Sequence, residues 1–283
     1  MNQNATSNYF LDQAIDLYTW TLQFSDNRTK GWIFVDSPLP TTILTITYLF
    51  IVWIGPKLMR NRKPFDLKHL LIVYNMALAS LNFYIAYELL IASNSLKYNY
   101  ICEPCREIYS DDEMRIANAV WWFYISKCLE FFDTFFFIFR KKTRQLSFLH
   151  VYHHSTMFPL WWIGVKYVPT GSTFLPAMTN SWIHTIMYSY YGFSALGPKV
   201  IKYLWWKKYL TILQLIQFVV ALVLGMNAIR SSCGFPVWMP YALVIYMISF
   251  IVLFGKFYVK MYLGNRNPLE KEQLTMQKYQ KLN

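Results

Sequence analysis

Charge is what this chain has least of. Asp, Glu, Lys and Arg make up 15% of its 283 residues, against about 25% in an average soluble domain. Hydrophobic residues reach 55% and aromatic ones 19%, a balance that excludes an ordinary soluble protein. No linker, Gly/Ser-rich tract or internal repeat divides the chain. A length that would fit two soluble domains is therefore read as one polytopic membrane domain over residues 1–283. Acidic residues are scarcer than basic ones, 15 against 27, for a formal net charge of +12. The cations form no single patch; they fall in short clusters between apolar runs, as in the loops of membrane proteins, and no nucleic-acid partner is expected. An apolar run is also missing from residues 1–30, so no cleavable signal peptide is expected and insertion starts from an internal span.

A span needs roughly 20 apolar residues, about 30 Å at 1.5 Å per residue. Seven stretches qualify: Pro38–Ile54, Leu70–Ile91, Ile116–Phe139, Leu146–Val165, Phe174–Phe193, Tyr209–Ile229 and Val237–Tyr258. The fourth and fifth carry His, Asn, Ser and Thr and are weaker, as helices facing a polar interior would be. Basic clusters follow the first, third and fifth stretches, and the tail from about residue 260 to 283 is mostly basic. All four lie on one side of a seven-span frame, which the positive-inside rule makes cytosolic. The segment before about residue 35 is then lumenal or extracellular. The sequons Asn4-Ala5-Thr6 and Asn27-Arg28-Thr29 agree with that side. So do Cys102, Cys105 and Cys233, which fall in loops on the oxidising side, where Cys233 is expected to pair with Cys102 or Cys105. Cys128 lies inside the third span and reads as a small buried residue.

Histidine is scarce too, yet three of the five residues of this type crowd into FLHVYHHSTM, as His150, His153 and His154. On a helix the i, i+3, i+4 spacing puts all three imidazoles on one face. Imidazole in an apolar place suits a metal ligand, a nucleophile or a general acid/base; the plain alternative is a buried polar cluster that ties helices together. The third span reads SKCLEFFDTFFF, with Lys127, Glu130 and Thr134 in a stripe and Asp133 at its edge. Ionisable groups inside a membrane are functional candidates by default, although Lys127 paired with Glu130 or Asp133 would also hold a bundle together. The fifth span puts Asn180, His184, Met187 and Tyr191 on one face, with Tyr188 beside it. Counted from the cytosolic helix ends, Glu130 lies roughly 14 Å deep, His153 roughly 13 Å and His184 roughly 18 Å. Acid, base and amide groups from three helices thus meet at similar depth, the usual picture of an active site entered from the cytosol.

Two chemistries compete for such a site. A di-iron centre is disfavoured, because His69 sits in a loop and four histidines remain; a single zinc is still within reach of three imidazoles. Acyl transfer is the other, with a neutral imidazole attacking a thioester and a second imidazole or a carboxylate moving the proton. No Ser sits in a nucleophile elbow and no Cys lies beside the histidines. A seven-span receptor shares the frame but has no use for three converging polar boxes.

KCLEFFDT (Lys127–Thr134), HVYHH (150–154) and TNSWIHTIMYSYY (Thr179–Tyr191) resemble the signature boxes of the very-long-chain fatty-acid elongases, the ELO family, in order and at matching spacing. SPLP and GPKLMRNRKPF near the first span, and GFSALGP with KYLWWKKYLT after the fifth, extend the likeness over nearly the whole chain. The animal branch, among members acting on longer acyl chains, is the best fit.

The resemblance implies an all-α polytopic protein of the endoplasmic reticulum membrane. Its seven transmembrane helices would include six around a closed-ended acyl tunnel open to the cytosol. It implies a 3-ketoacyl-CoA synthase that joins an acyl-CoA to malonyl-CoA with loss of CO2 and CoA, through an acyl-imidazole and without a cofactor. Carried onto this chain, His153 is the nucleophile and His184 assists decarboxylation or orients the reacting carbonyl. His150, His154 and Asp133 position the imidazoles, and Lys127, Glu130, Asn180, Tyr188 and Tyr191 line the site. Arg140, Lys141, Lys207 and Lys208 would meet CoA phosphates. The family context favours Cys102 as the partner of Cys233. Implied partners are the other enzymes of the elongation cycle and a second copy of the chain. One departure is the tail, KYQKLN, in which Lys281 lacks the second lysine of a dilysine retrieval signal; residence in the reticulum rests on the resemblance alone.

Overall fold

The computed structural model describes residues 3–231 and 234–263, and among them there is no strand. The helices are α1 (Gln3–Leu22), α2 (Leu39–Leu58), α3 (Lys68–Ser95), α4 (Asp111–Leu129), α5 (Phe131–Phe139), α6 (Phe148–Tyr167), α7 (Phe174–Ala195), the single turn α8 (Pro198–Ile201), α9 (Lys207–Ser231) and α10 (Trp238–Tyr258). A π-helical turn, Val259–Leu263, prolongs α10. Each apolar stretch singled out above is helical. Cys233, Lys281 and the tail beyond residue 263 lie outside the described residues, as do the side chains of Asn4 and Thr6.

By length and composition, α2, α3, α9 and α10 (the last with its π-turn) are apolar enough to cross a membrane. The others of span length, α4 with α5, α6 and α7, carry the polar boxes that dilute their hydropathy. The division is physical. Along α2, α9 and α10 large apolar side chains such as Ile43, Trp53, Ile216, Val223, Ile245 and Val252 are exposed, as lipid-facing surfaces are. The polar helices instead turn inward, and their side chains find partners there.

One element was not anticipated and one reading needs correction. Residues 3–22 form a helix that the lack of an apolar run had hidden. The segment has no Pro or Gly to interrupt it, and in its second half Ile15, Leu17 and Trp20 are exposed. The third span, expected as one helix, breaks at Glu130. The Glu130 amide still donates to Ser126 O at 2.9 Å, but the Asp133 amide donates to Glu130 O at 3.2 Å, a tighter i,i+3 turn.

Local signals place the helix starts. Ser110 caps α4 by accepting from Glu113 N at 3.3 Å, and Ser147 caps α6 by accepting from His150 N at 3.2 Å. At the end of α5, Lys142 N donates to Phe137 O at 2.8 Å and Lys141 N to Ile138 O at 3.0 Å. This is a Schellman stop whose left-handed residue, usually Gly, is Lys141 at φ 56°.

The aromatic core sits between α2, α3, α4, α6 and α7. Tyr124 of α4 stacks on Phe158 of α6 at 4.8 Å, and its hydroxyl meets Thr41 Oγ1 of α2 at 2.6 Å. α7 lies along α3, close enough that a Cβ on Gly192 would collide with Met76. α9 and α10 pair with each other, and α9 also touches α7.

At the acidic end of the bundle a buried cation locks the entry segment. Arg28 donates to Asp26 Oδ2 at 2.6 Å, Thr170 Oγ1 at 2.9 Å and Ile108 O at 3.1 Å, with Glu113 Oε2 at 3.4 Å. Burial opposes the Arg28 charge, but the Asp26 carboxylate more than offsets it and holds the guanidinium above its ordinary pKa. Of the sequon at Asn27, the asparagine is exposed, while Thr29 is fully buried and donates to Val165 O at 3.2 Å. Cys102 is buried and Cys105 is a free thiol, 3.6 Å from Thr170 Oγ1.

Candidate active site

Glu130 stands at the α4–α5 break, fully buried, and two groups converge on its Oε1. Lys127 Nζ, one turn earlier, lies at 2.8 Å, and His184 Nδ1 of α7 at 3.2 Å. Lys127, 1% exposed, also donates to Asn180 Oδ1 at 3.1 Å and covers the Phe123 ring at 4.3 Å. A buried ammonium is tolerated only when its charge and its N–H groups are matched, and a carboxylate, an amide oxygen and a ring face match them here. Lys127 Nζ and His184 Nδ1 are 3.5 Å apart. Since the ammonium can only donate, the shorter contact, charge-assisted, has His184 Nδ1–H donating to Glu130. That tautomer leaves the Nε2 lone pair of His184 free.

α6 brings its three imidazoles to the same place. His153 faces His184 with ring centroids 6.3 Å apart, and Phe250 of α10 closes the other side, edge-on at 5.6 Å. His154 lies 4.9 Å from His153 and 4.3 Å from His150, turned toward Tyr48 of α2 at 6.3 Å. His150 Nε2 is fixed by Thr134 Oγ1 at 2.7 Å, and Thr134 in turn meets Tyr48 OH at 3.1 Å. Among the described residues no hydrogen bond reaches a ring nitrogen of His153, which is only half-buried. His154 receives none either but is buried, so His153 is the more accessible of the two imidazoles without a hydrogen bond. Glu130 Oε2 is also buried without a partner among the described residues, so a donor arriving with a ligand or water has an acceptor waiting.

Asp133, on the edge of the stripe, turns to a different neighbour. Its Oδ2 accepts from Tyr188 OH at 2.8 Å, and the Tyr188 ring lies 5.7 Å from His184. Tyr191 stands beyond it, 6.2 Å from Tyr188 but 40% exposed, so it borders the group rather than joining it. Arg140 is half-buried at the end of α5, whereas Lys141, Lys207 and Lys208 are exposed at the basic end of the bundle. Lys141 Nζ donates to Arg60 O at 2.9 Å, and Lys208 lies 6.0 Å from the Tyr258 ring. None of these four touches the imidazoles.

Two participants escaped the sequence reading. Tyr48 offered a signal, a hydroxyl in an otherwise apolar span; Phe250 offered none, because an aromatic in an apolar helix is usually packing. Among the described residues no three His, Cys, Asp or Glu side chains are arranged to hold a metal ion.

Comparison with known proteins identifies relatives of the chain. Residues 33–270 match the profile of the ELO family, described as GNS1/SUR4. The chain is 48% identical over 258 residues to very long chain fatty acid elongase 4 of Homo sapiens, covering 91% of this chain and 82% of that one. It is 48% identical over 237 residues to elongase 5 of Tachysurus fulvidraco, covering 84% and 80%. It is 44% identical over 247 residues to elongase 2 of Mus musculus, covering 87% and 83%.

Proposed function

The chain belongs to the ELO (GNS1/SUR4) family, and on that premise we propose that it is the condensing enzyme of fatty-acid elongation, a very-long-chain 3-oxoacyl-CoA synthase. It joins a long-chain acyl-CoA to malonyl-CoA, releases CO2 and CoA, and yields a 3-ketoacyl-CoA two carbons longer. The observation that carries this reading is the half-buried imidazole of His153, without a hydrogen bond among the described residues and facing His184 in a largely buried group of four.

A neutral ring nitrogen of His153 attacks the thioester carbonyl; the C–S bond breaks and CoA leaves with the proton that the ring gives up. Malonyl-CoA then loses CO2, and the electron pair of the broken C–C bond attacks the acyl-imidazole carbonyl, forming the new C–C bond; the C–N bond breaks, and the departing ring nitrogen takes up one proton from water to return neutral His153. His184, held by Glu130 with its Nε2 free, is placed to assist the decarboxylation or to orient the reacting carbonyl. His150 and His154 flank the nucleophile, and Thr134 and Asp133 fix the walls. No cofactor is called for beyond the two thioesters.

The same reading takes in the frame. One domain of seven transmembrane helices, six of them around a closed-ended acyl tunnel, would sit in the endoplasmic reticulum with its amino end lumenal. Arg140, Lys141, Lys207 and Lys208 would meet CoA phosphates at the cytosolic mouth. A Cys102–Cys233 bridge would clip two lumenal loops together; the free thiol of Cys105 leaves Cys102 as the candidate partner. Association with the other enzymes of the cycle and with a second copy of the chain belongs to the proposal as well.

Purified protein given acyl-CoA alone tests the chemistry. It is expected to release free CoA and to gain the mass of one acyl group, which malonyl-CoA then discharges as the 3-ketoacyl-CoA. Turnover that a chelator abolished and one added metal restored would replace this reading with a metal-dependent one.

A further inference from the structure

At the basic end of the bundle, α2 and α5 touch and then splay. They meet at Gly55, where a Cβ would come within 3.0 Å of Ile138 Cδ1. Beyond that contact a crevice of about 310 Å³ opens between the end of α2 and the turn after α5, small for a ligand pocket, where about 300–1,000 Å³ is usual. Its walls are apolar, from Pro56, Met59, Ile138 and Leu146. Its rim is not: Lys57, Arg60 and Lys141 border it, all exposed.

The crevice is held open from both sides. Phe65 N donates to Phe139 O at 3.1 Å, and the two rings meet edge-on at 5.9 Å. Lys141 Nζ donates to Arg60 O at 2.9 Å, from a backbone at φ 56° that a non-glycine residue adopts only under constraint. These ties fix the α2 end against the α5 end before anything binds.

Its level in the membrane is marked too. The Lys57 ammonium lies 3.8 Å from the centroid of the Trp53 ring, and Trp53 is 60% exposed. A tryptophan with a lysine snorkelling past it is the pattern of the headgroup layer. An apolar slot with a cationic rim at that level matches an amphiphile whose negative charge sits directly above its hydrocarbon.

We propose that this crevice is a binding site for an anionic glycerophospholipid of the adjoining leaflet. One acyl chain enters between Ile138 and Met59, and the phosphate rests between Lys57, Arg60 and Lys141. The occupant comes from the membrane rather than from the substrate pool, because the slot opens beside α2, among exposed apolar side chains such as Leu58 and Phe139. The crevice contains none of the histidines, and Lys141 is the one residue it shares with the proposed CoA contacts.

The full-length protein in vesicles of equimolar phosphatidylcholine and phosphatidylserine, extracted with mild detergent and weighed by native mass spectrometry, reads the occupancy. Wild type is expected to retain one phosphatidylserine and no phosphatidylcholine. A cation near an anionic leaflet is worth about a fivefold change in affinity, so Lys57→Gln with Arg60→Gln is expected to lower retention on the order of twentyfold. Arg62→Gln with Lys63→Gln, in the same loop but off the rim, is expected to change it little. Thr143→Trp keeps every charge but fills the crevice from its exposed lip, and is expected to abolish retention. Equal loss in the Arg62/Lys63 variant, full retention in Thr143→Trp, or equal retention of phosphatidylcholine would overturn the site. So would displacement of the lipid by free CoA, which would hand the crevice to the substrate.

Discussion

Glu130 Oε1 lies 3.2 Å from His184 Nδ1, across the boundary between the α4–α5 break and α7. This contact selects the His184 tautomer and ties the carboxylate of one helix to the imidazole of another. Glu130→Gln keeps the shape and one acceptor but removes the charge that matches Lys127. A hydrogen bond to a charged group is worth roughly 1.5–3 kcal/mol. The expected result is a fall in kcat of about ten- to a hundredfold with KM for acyl-CoA little changed. Steady-state assays with malonyl-CoA check it; a variant as fast as wild type would remove Glu130 from any orienting role.

His153→Ala is expected to stay folded and to lose both stages, acyl loading and condensation. His184→Ala is expected to retain some loading and to lose its discharge by malonyl-CoA. Intact-protein mass spectrometry separates the two. Full loading of His153→Ala would move the nucleophile to another imidazole, His184 or His154.

Tyr48→Phe removes the hydroxyl 3.1 Å from Thr134 and keeps the ring stacked on Phe131 at 4.4 Å. One neutral hydrogen bond is worth about 1 kcal/mol, so activity is expected to drop about fivefold, with a loss of thermal stability no larger than that one bond. An unchanged rate would show that Thr134 holds His150 unaided.

Arg28→Ala strands Asp26 and Glu113 in a buried place. Removing one partner of a buried ion pair costs roughly 3–5 kcal/mol. A clear fall in melting temperature in detergent is expected, reduced when Asp26→Asn is combined with it. Additive losses in the double variant would show that the pair does not act as a unit.

Burial pushes the Cys105 thiol above its ordinary pKa. At neutral pH it is therefore protonated, and the reactive thiolate appears only as pH rises through that raised value. Labelling of the native protein by a thiolate-selective reagent is expected to be slow at pH 7 and to accelerate at more alkaline pH than for the same residue in denaturant. Labelling at equal rates in both states would contradict the buried position.

How much of this was legible beforehand depended on what each residue had to signal. The apolar stretches announced themselves because a lipid-facing helix needs an unbroken run of large side chains. The polar boxes stood out by contrast with that background, so Lys127, Glu130, His153 and His184 could be picked before their contacts were known. The break at Glu130 could not, because it removes no apolar residue and adds no Pro or Gly to LEFFDT. α1 escaped for the opposite reason: it has no unbroken apolar run of the kind by which the other helices were found. What packs beside each of the rings of His150, His153 and His154 differs, and neighbours such as Phe250 come from distant parts of the chain.

The turn at Glu130 makes α5 a short lever. Two successive residues on it reach different neighbours, Asp133 to Tyr188 on α7 and Thr134 to His150 on α6. Lys127 and Asn180 belong to the stationary side, held by α4 and α7. A displacement of α5 would therefore be felt at His150 and at Tyr188 together, through these two hydrogen bonds. Loading on the far end of that lever, at Phe139 or Lys141, has a mechanical route to the imidazoles that passes through no ligand.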